Sequence, residues 1–333
     1  MTPELLLPAR WNRYGLFCST TDPYLAQFLH ILISKQTPPL QGVPSQPGLI
    51  LVMHSRPNAG SEMASETMAI PYEQGIFRRI VDGLHQHRSL TFLLGRTSTA
   101  VFNTRSVIWG SGDSKSSAIV YNCKSDTASP GKQDDIALSV THFGKQRMTY
   151  AMMYGCTPRT ISHVSSWLKM FKGQALHPLI IVLIFAELER KRLFNFLERE
   201  QSALEKWILD LEHKLRLESQ VPRLGTDEME LASQIRDSQS TKLWIDVSSL
   251  RNGLESLRDQ LVKMIQHSEV LATTVFKQPA EGSDEIDSHL EERNTGERIK
   301  TRLSEMLAEF DSKVRTCDSL LGGMALAAQM VSD

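Results

Sequence analysis

The chain has 333 residues, 41% of them hydrophobic and 23% charged, with a formal net charge of −1. This length suits about two domains of ordinary globular composition. The near-neutral charge excludes a bulk field that would recruit nucleic acid or an acidic membrane surface. The four cysteines, Cys18, Cys123, Cys156 and Cys317, are far apart and form no CxxC pair. That argues against a zinc ribbon, a redox motif or a disulfide framework and fits thiols in a reducing compartment.

The first half mixes helical and extended patterns. Asp22–Pro23 is an N-cap and first-turn pair, and Leu25, Phe28, Leu29 and Leu32 then recur at helical spacing before Pro38. Residues 49–53 are an unbroken apolar run and predict a buried strand. Ile76, Phe77, Ile80, Val81 and Leu84 mark an amphipathic helix. Six short strands are expected next, at residues 90–94, 99–102, 107–109, 118–121, 136–143 and 148–154, separated by Ser/Gly/Asp-rich turns. The expected fold class is therefore α+β, an α/β head with a mixed or antiparallel sheet, followed by long heptad-patterned helices.

The second half is helical throughout. One helix is expected at residues 160–171, and a second pattern opens at Pro178 and runs without Gly or Pro to Gln220. Its apolar run, residues 179–186, is far shorter than the ~20 residues of a bilayer span, so it reads as a buried helix start. Residues 1–11 lack a signal-peptide core, so the expected location is cytoplasmic.

A more regular seam follows the loop at 222–226. Leu243, Leu250, Leu257, Met264 and Leu271 recur every seven residues, with Val247, Leu254 and Leu261 four residues after the first three. Pro279 and Gly282 break the pattern, and a last helix is expected from near Gly296, with Leu303, Phe310 and Met324 on one stripe and Ile299 and Met306 on another. These are a/d positions, which either close an intramolecular bundle or join subunits in an oligomer. The last helix is still patterned at Asp333, which asks for a continuation or a partner. The divisions drawn are 1–155, an α/β head; 156–296, a helical hairpin; and 297–333, the start of a stalk-like helix.

Catalytic signals are sparse, and no enzyme activity or small-molecule substrate is indicated. There is no P-loop, dinucleotide fingerprint or HExxH motif. His85 and His87 are two apart at a helix end and diverge, so they predict no metal pair. The loop 110–114 reads as a hairpin turn and Asp134–Asp135 as a solvated turn, although carboxylates of that kind can join a hard-cation site. The charged runs 187–192, 198–200 and 291–293 read as outer helix faces.

The stretch Tyr154-Gly155-Cys156, the helix after it, and His177-Pro178-Leu179 leading to Ile184-Phe185-Ala186-Glu187-Leu188-Glu189-Arg190 resemble the fungal branch of the CorA-like Mg²⁺ transporter proteins. So does Cys317-Asp318-Ser319-Leu320-Leu321-Gly322-Gly323-Met324-Ala325-Leu326-Ala327-Ala328-Gln329-Met330. The resemblance covers residues 154–333 and extends to the head by architecture. It implies the cytosolic portion of a divalent-cation channel, homo-oligomeric, with Mg²⁺ as a regulatory ligand held by acidic residues that it does not assign. It also implies membrane association where such a chain continues into a pore segment. The family's two pore helices and Gly-Met-Asn signature are absent; Gly323-Met324-Ala325 is not that motif, so the chain would not conduct by itself. The alternative is a stand-alone oligomeric scaffold or regulator derived from the family.

Overall fold

The structure, a computed structural model, describes residues 14–19, 47–55, 74–95, 99–112, 115–127, 135–171, 176–218, 226–276 and 286–332. The expected helix at 22–32 lies outside them.

Six strands form one sheet in the order β1-β2-β6-β5-β4-β3: β1 (Tyr14–Ser19), β2 (Gly48–Ser55), β3 (Val101–Trp109), β4 (Ser116–Lys124), β5 (Ala137–Phe143) and β6 (Met148–Cys156). β3 to β6 are a consecutive antiparallel meander, whereas β1, β2 and β6 run parallel. The sheet is thus mixed.

Both of its faces are covered, which explains why β5 and β6 are buried almost residue for residue. Alternate side chains sort between two cores. Leu49, Leu51, Met53, Leu138, Val140, Ala151 and Met153 face one core; Val52, Ala137, Phe143, Tyr150, Met152 and Tyr154 face the other. The second core is roofed by two short helices, α1 (Gln74–Gly83) and α2 (Leu90–Leu94). The first lies under four helices: α3 (Pro158–Met170), α4 (Ile180–Glu218), α5 (Thr226–Thr274) and α6 (Ile286–Ser332). The chain is α+β, a layered head continuing into long helices.

Local chemistry accounts for several boundaries. Thr157 Oγ1 accepts from Thr160 N at 3.1 Å and Pro158 occupies the first turn, so α3 starts two residues before its apolar pattern. His177 Nδ1 accepts from Leu179 N at 3.2 Å, satisfying a donor at the start of α4. All of residues 179–186 are then buried against the sheet. Among the described residues, no helix is long and apolar enough to cross a membrane.

Three expectations are corrected. Residues 90–94 are the helix α2 and not a strand: Leu90 and Leu93, one turn apart, are buried, while Phe92 is 80% exposed. A five-residue apolar run carries too little periodicity to separate the two. The strands expected at 99–102 and 107–109 are one strand, β3, whose polar centre Asn103–Ser106 reflects its exposed edge position and not a turn. The last helix begins at Ile286 and not near Gly296, which lies inside α6. Gly296 is a contact residue there: a Cβ would sit 3.1 Å from His177 Nε2.

α5 and α6 pack antiparallel along their length. The bridges Glu269–Lys300, Arg258–Asp311 and Arg251–Asp318 step back along α5 by the same intervals as they advance along α6. Glu187–Arg302, Arg190–Glu309 and the Phe194–Phe310 ring contact at 5.1 Å set α4 parallel to α6. These pairs are at least partly solvated, so they mark the register more than they stabilise it. Arg258→Ala is expected to cost less than about 1 kcal/mol in urea unfolding.

Candidate functional site

Every residue of the expected seam is buried inside one core. Leu243, Val247, Leu250, Leu254, Leu257, Leu261, Met264 and Leu271 of α5 join Leu303, Phe310 and Met324 of α6 in the cluster that also holds the sheet's helix-facing side chains. The apolar seam therefore sits within this fold, and an oligomeric role for it is a separate proposal.

The other sites weighed from sequence do not converge. His85, at φ 49°, packs its ring against Tyr150, Phe143 and Trp109, while His87 Nδ1 lies 2.8 Å from Ser89 Oγ. Gly110 and Gly112 have positive φ, 85° and 60°, as a turn requires. Residues 113, 114 and 134 lie outside the described set. Among the described residues, no group of three or more His, Cys, Asp or Glu could hold a metal ion.

What the fold does bring together is charge, at the carboxyl end of the parallel strands. There β4 ends at Lys124 and continues through Ser125 and Asp126, β5 is entered through Asp135, and α4 presents Glu189 and Arg192. All five ionisable side chains belong to buried residues, Asp135 at 0% exposure, Glu189 at 1% and Arg192 at 7%. This corrects two sequence readings. Glu189 and Arg192 belong to the run 187–192, read as an outer helix face, and Asp135 to a turn read as solvated. Glu292, in the run 291–293, is likewise buried at 7% and pairs with Arg147.

Bidentate geometry holds the centre of the cluster. Arg192 Nη2 donates to Glu189 Oε2 at 2.8 Å and Arg192 Nε to Oε1 at 3.0 Å, while Ser125 Oγ donates to Oε1 at 2.6 Å. The same hydroxyl accepts from Ile136 N at 2.7 Å, and Ser125 N donates to Ile136 O at 2.9 Å, closing the ends of β4 and β5 upon each other. Arg192 Nη2 also reaches the Asp126 carbonyl at 3.0 Å.

On the opposite face Lys124 Nζ donates to the Gly95 carbonyl at the end of α2. Burial lowers the Lys124 pKa, opposed by the Asp135 carboxylate. For Arg192, burial also acts downward but is outweighed by Glu189, Asp135 and Asp126, so the guanidinium stays charged. Outward along α4, Phe196 lies under Arg199 at 4.9 Å and under Arg192 at 5.6 Å.

Chemically this is a clamp. Ser125 has a carboxylate acceptor but no imidazole base in its hydrogen bonds, and the carboxylate is occupied by the guanidinium. The cluster fixes α4 to the β4–β5 end and, through Lys124, to α2, so one set of charges spans both faces of the sheet. Sequence reasoning missed it because spacing on a helix does not reveal which face meets a loop. The available signal was an acidic residue three before an arginine, directly after the buried apolar run.

No family model matches the chain, and no curated protein does. Among solved structures it is similar to the cytoplasmic domain of ZntB from Vibrio parahaemolyticus RIMD 2210633. The two share 12% identity with a TM-score of 0.35, over 74% of this chain and 82% of that one.

Proposed function

We propose that the chain is the cytosolic portion of a CorA-like divalent-cation transporter, an oligomeric sensor head and stalk that does not conduct by itself. The observation that carries this reading is the course of the last helix. α4 and α6 leave the head side by side in the same direction, and α5 returns antiparallel beside them. A clamped head with one long helix running away from it can transmit a change in the head along that helix. The resemblance of residues 154–190 and 317–330 to the family agrees with this order of parts.

In this reading the head is residues 1–155, the helical hairpin follows to 296, and the stalk continues from 297 inside α6. Mg²⁺ is the first regulatory ligand to test, with its sites between subunits.

Thermal melting of the purified chain with and without Mg²⁺ tests the proposal, with native mass spectrometry on the same samples. A ligand present at ten times its Kd and bound only by the folded state adds about 1.4 kcal/mol, a rise of about 1–3 °C for a chain of this size. That rise, in an oligomer, is the expected result. A folded oligomer whose melting ignores Mg²⁺ and other divalent ions would instead be the stand-alone scaffold. A strict monomer would remove the intersubunit site altogether.

A further inference from the structure

β3 is an edge strand, and its outer side is half covered. Ala100 N, just before the strand, donates to Ser256 Oγ at 3.0 Å, and Phe102 N donates to Gln260 Oε1 at 3.1 Å. Two side chains of α5 thus stand where a neighbouring strand's carbonyls would stand. Because Phe102 N–H points outward, alternation places the N–H and C=O groups of Thr104, Ser106 and Ile108 outward too, while the residues between them bond to β4. Among the described residues no strand pairs with this side. The open stretch runs from Thr104 to Ile108, and Ile108 is 69% exposed.

The groove beside this edge carries one sign of charge, and the nearby Asp259 of α5 is paired with Arg258. The groove, of about 660 Å³, lies between β3 and α5 and is lined by residues 99–104 and by Gln260, Lys263, Gln266, His267 and Val270. The lining holds no acidic side chain. Lys263 is exposed on the α5 side of the strand. Arg105, also exposed, lies on the other side with Arg88, and both lower the pKa of His87 there, after the larger effect of burial. Apolar surface accompanies Lys263, with Val270 51% exposed two turns further along α5. A segment added to this edge would meet a cation on each of its faces, and the exposed Ile108 and Val270 on the α5 side.

We propose that the outer edge of β3 docks an extended acidic segment of a partner protein by strand addition. Main-chain hydrogen bonds to Thr104, Ser106 and Ile108 supply the pairing. Arg105 and Lys263 select carboxylates on the two opposite faces of the added strand. This interaction is independent of the cation-sensing reading above and survives or fails without it.

A fluorescein-labelled peptide repeating Val-Val-Glu-Glu, which puts glutamate and valine on both faces of the added strand, with its Val-Val-Lys-Lys counterpart as control, tests the edge by fluorescence anisotropy at low ionic strength. The glutamate peptide is expected to bind and the lysine peptide not to. Arg105→Glu and Lys263→Glu should each weaken binding by about 2–5-fold, and together by about tenfold. Ser106→Pro removes an outward N–H that β4 does not use, so it should abolish binding with little change in melting temperature. Equal binding of both peptides, no binding of either, or binding indifferent to Ser106→Pro in a variant that melts like the parent overturns the proposal. So does a concentration-dependent dimer of the unliganded chain that Ser106→Pro dissolves, since the edge would then serve a second copy.

Discussion

Replacing Glu189 by alanine is expected to lower the stability of the fold by about 3–5 kcal/mol, read as a reduced urea midpoint at unchanged slope. Glu189 accepts from Ser125 Oγ and from Arg192 Nε and Nη2. Without it the buried guanidinium keeps the Asp126 carbonyl and the field of Asp135 and Asp126, but no bidentate partner. Nη1 of Arg192 already reaches no acceptor among the described residues, which makes the charge more dependent on Glu189. Breaking a buried pair from one side is costly because it leaves a charge out of water without compensation.

The double variant Glu189→Leu with Arg192→Met should recover most of that loss, because two apolar side chains of similar volume need no desolvation. If Glu189→Ala alone loses less than about 1 kcal/mol, Asp126 and Asp135 hold the arginine and the clamp is misassigned. Should the double variant prove as weak as the single one, the cluster matters through its hydrogen bonds to the strand ends and not through charge balance.

The long helices were the most legible part of this chain, for a reason that the clamp makes plain. Leu243 to Leu271 repeat along α5 because every turn meets the same antiparallel neighbour, so packing is periodic and the sequence is too. The central strands were legible because layers on both faces leave β5 and β6 almost nothing but buried positions. Where the partner changes within a few residues, the pattern fails. β3 is covered by α5 at Phe102 and open at Ile108, so its polar middle looks like a turn. α2 is a single turn and a half with one apolar pair, which a strand would show equally well.

Glu189 and Arg192 stand one helical turn apart, the usual mark of a solvated face. What buries them is the end of the β4–β5 pair, contributed from about sixty residues upstream. Tertiary contacts of that kind leave no local periodicity. For Glu292, matched to Arg147 in the β5–β6 turn, the same argument holds. Gly296 was visible as a glycine, but whether it ends a helix or admits a neighbour depends on His177, far away in the chain. Periodic packing is written in the sequence, and the points where sheet and helices lock together are not.

Acidification from pH 7 to pH 5 is expected to remove about 4–6 kcal/mol of stability, before any carboxylate contributes. Burial depresses the pKa of His177 to about 3 and that of His142 to about 4, from an ordinary 6.5. Smaller effects add to this, His142 and His267 acting on His177 and Arg147 on His142. Burial takes His54, stacked on Tyr154 at 4.5 Å, to about 3 as well. In each case the folded pKa lies below the unfolded one, so between the two the unfolded chain binds more protons. Stability is therefore fully present above about pH 7, falls as pH drops through 6.5, and levels off only near pH 3–4. Each histidine contributes up to about 2 kcal/mol over the two units named. For Glu187 burial is the largest single effect and acts upward, but Arg302 and Arg190 together outweigh it and hold the carboxyl below its usual range, so it gives way only at lower pH. Urea midpoints at pH 7, 6 and 5 measure the slope. In His177→Asn the side-chain oxygen can still accept from Leu179 N, but the titrating ring is gone. That variant should start less stable at pH 7 and lose about a third less on acidification. A midpoint constant from pH 7 to 5 would mean that these histidines exchange protons freely in the folded chain, and the tight seating of α4 and α6 on the sheet would be wrong.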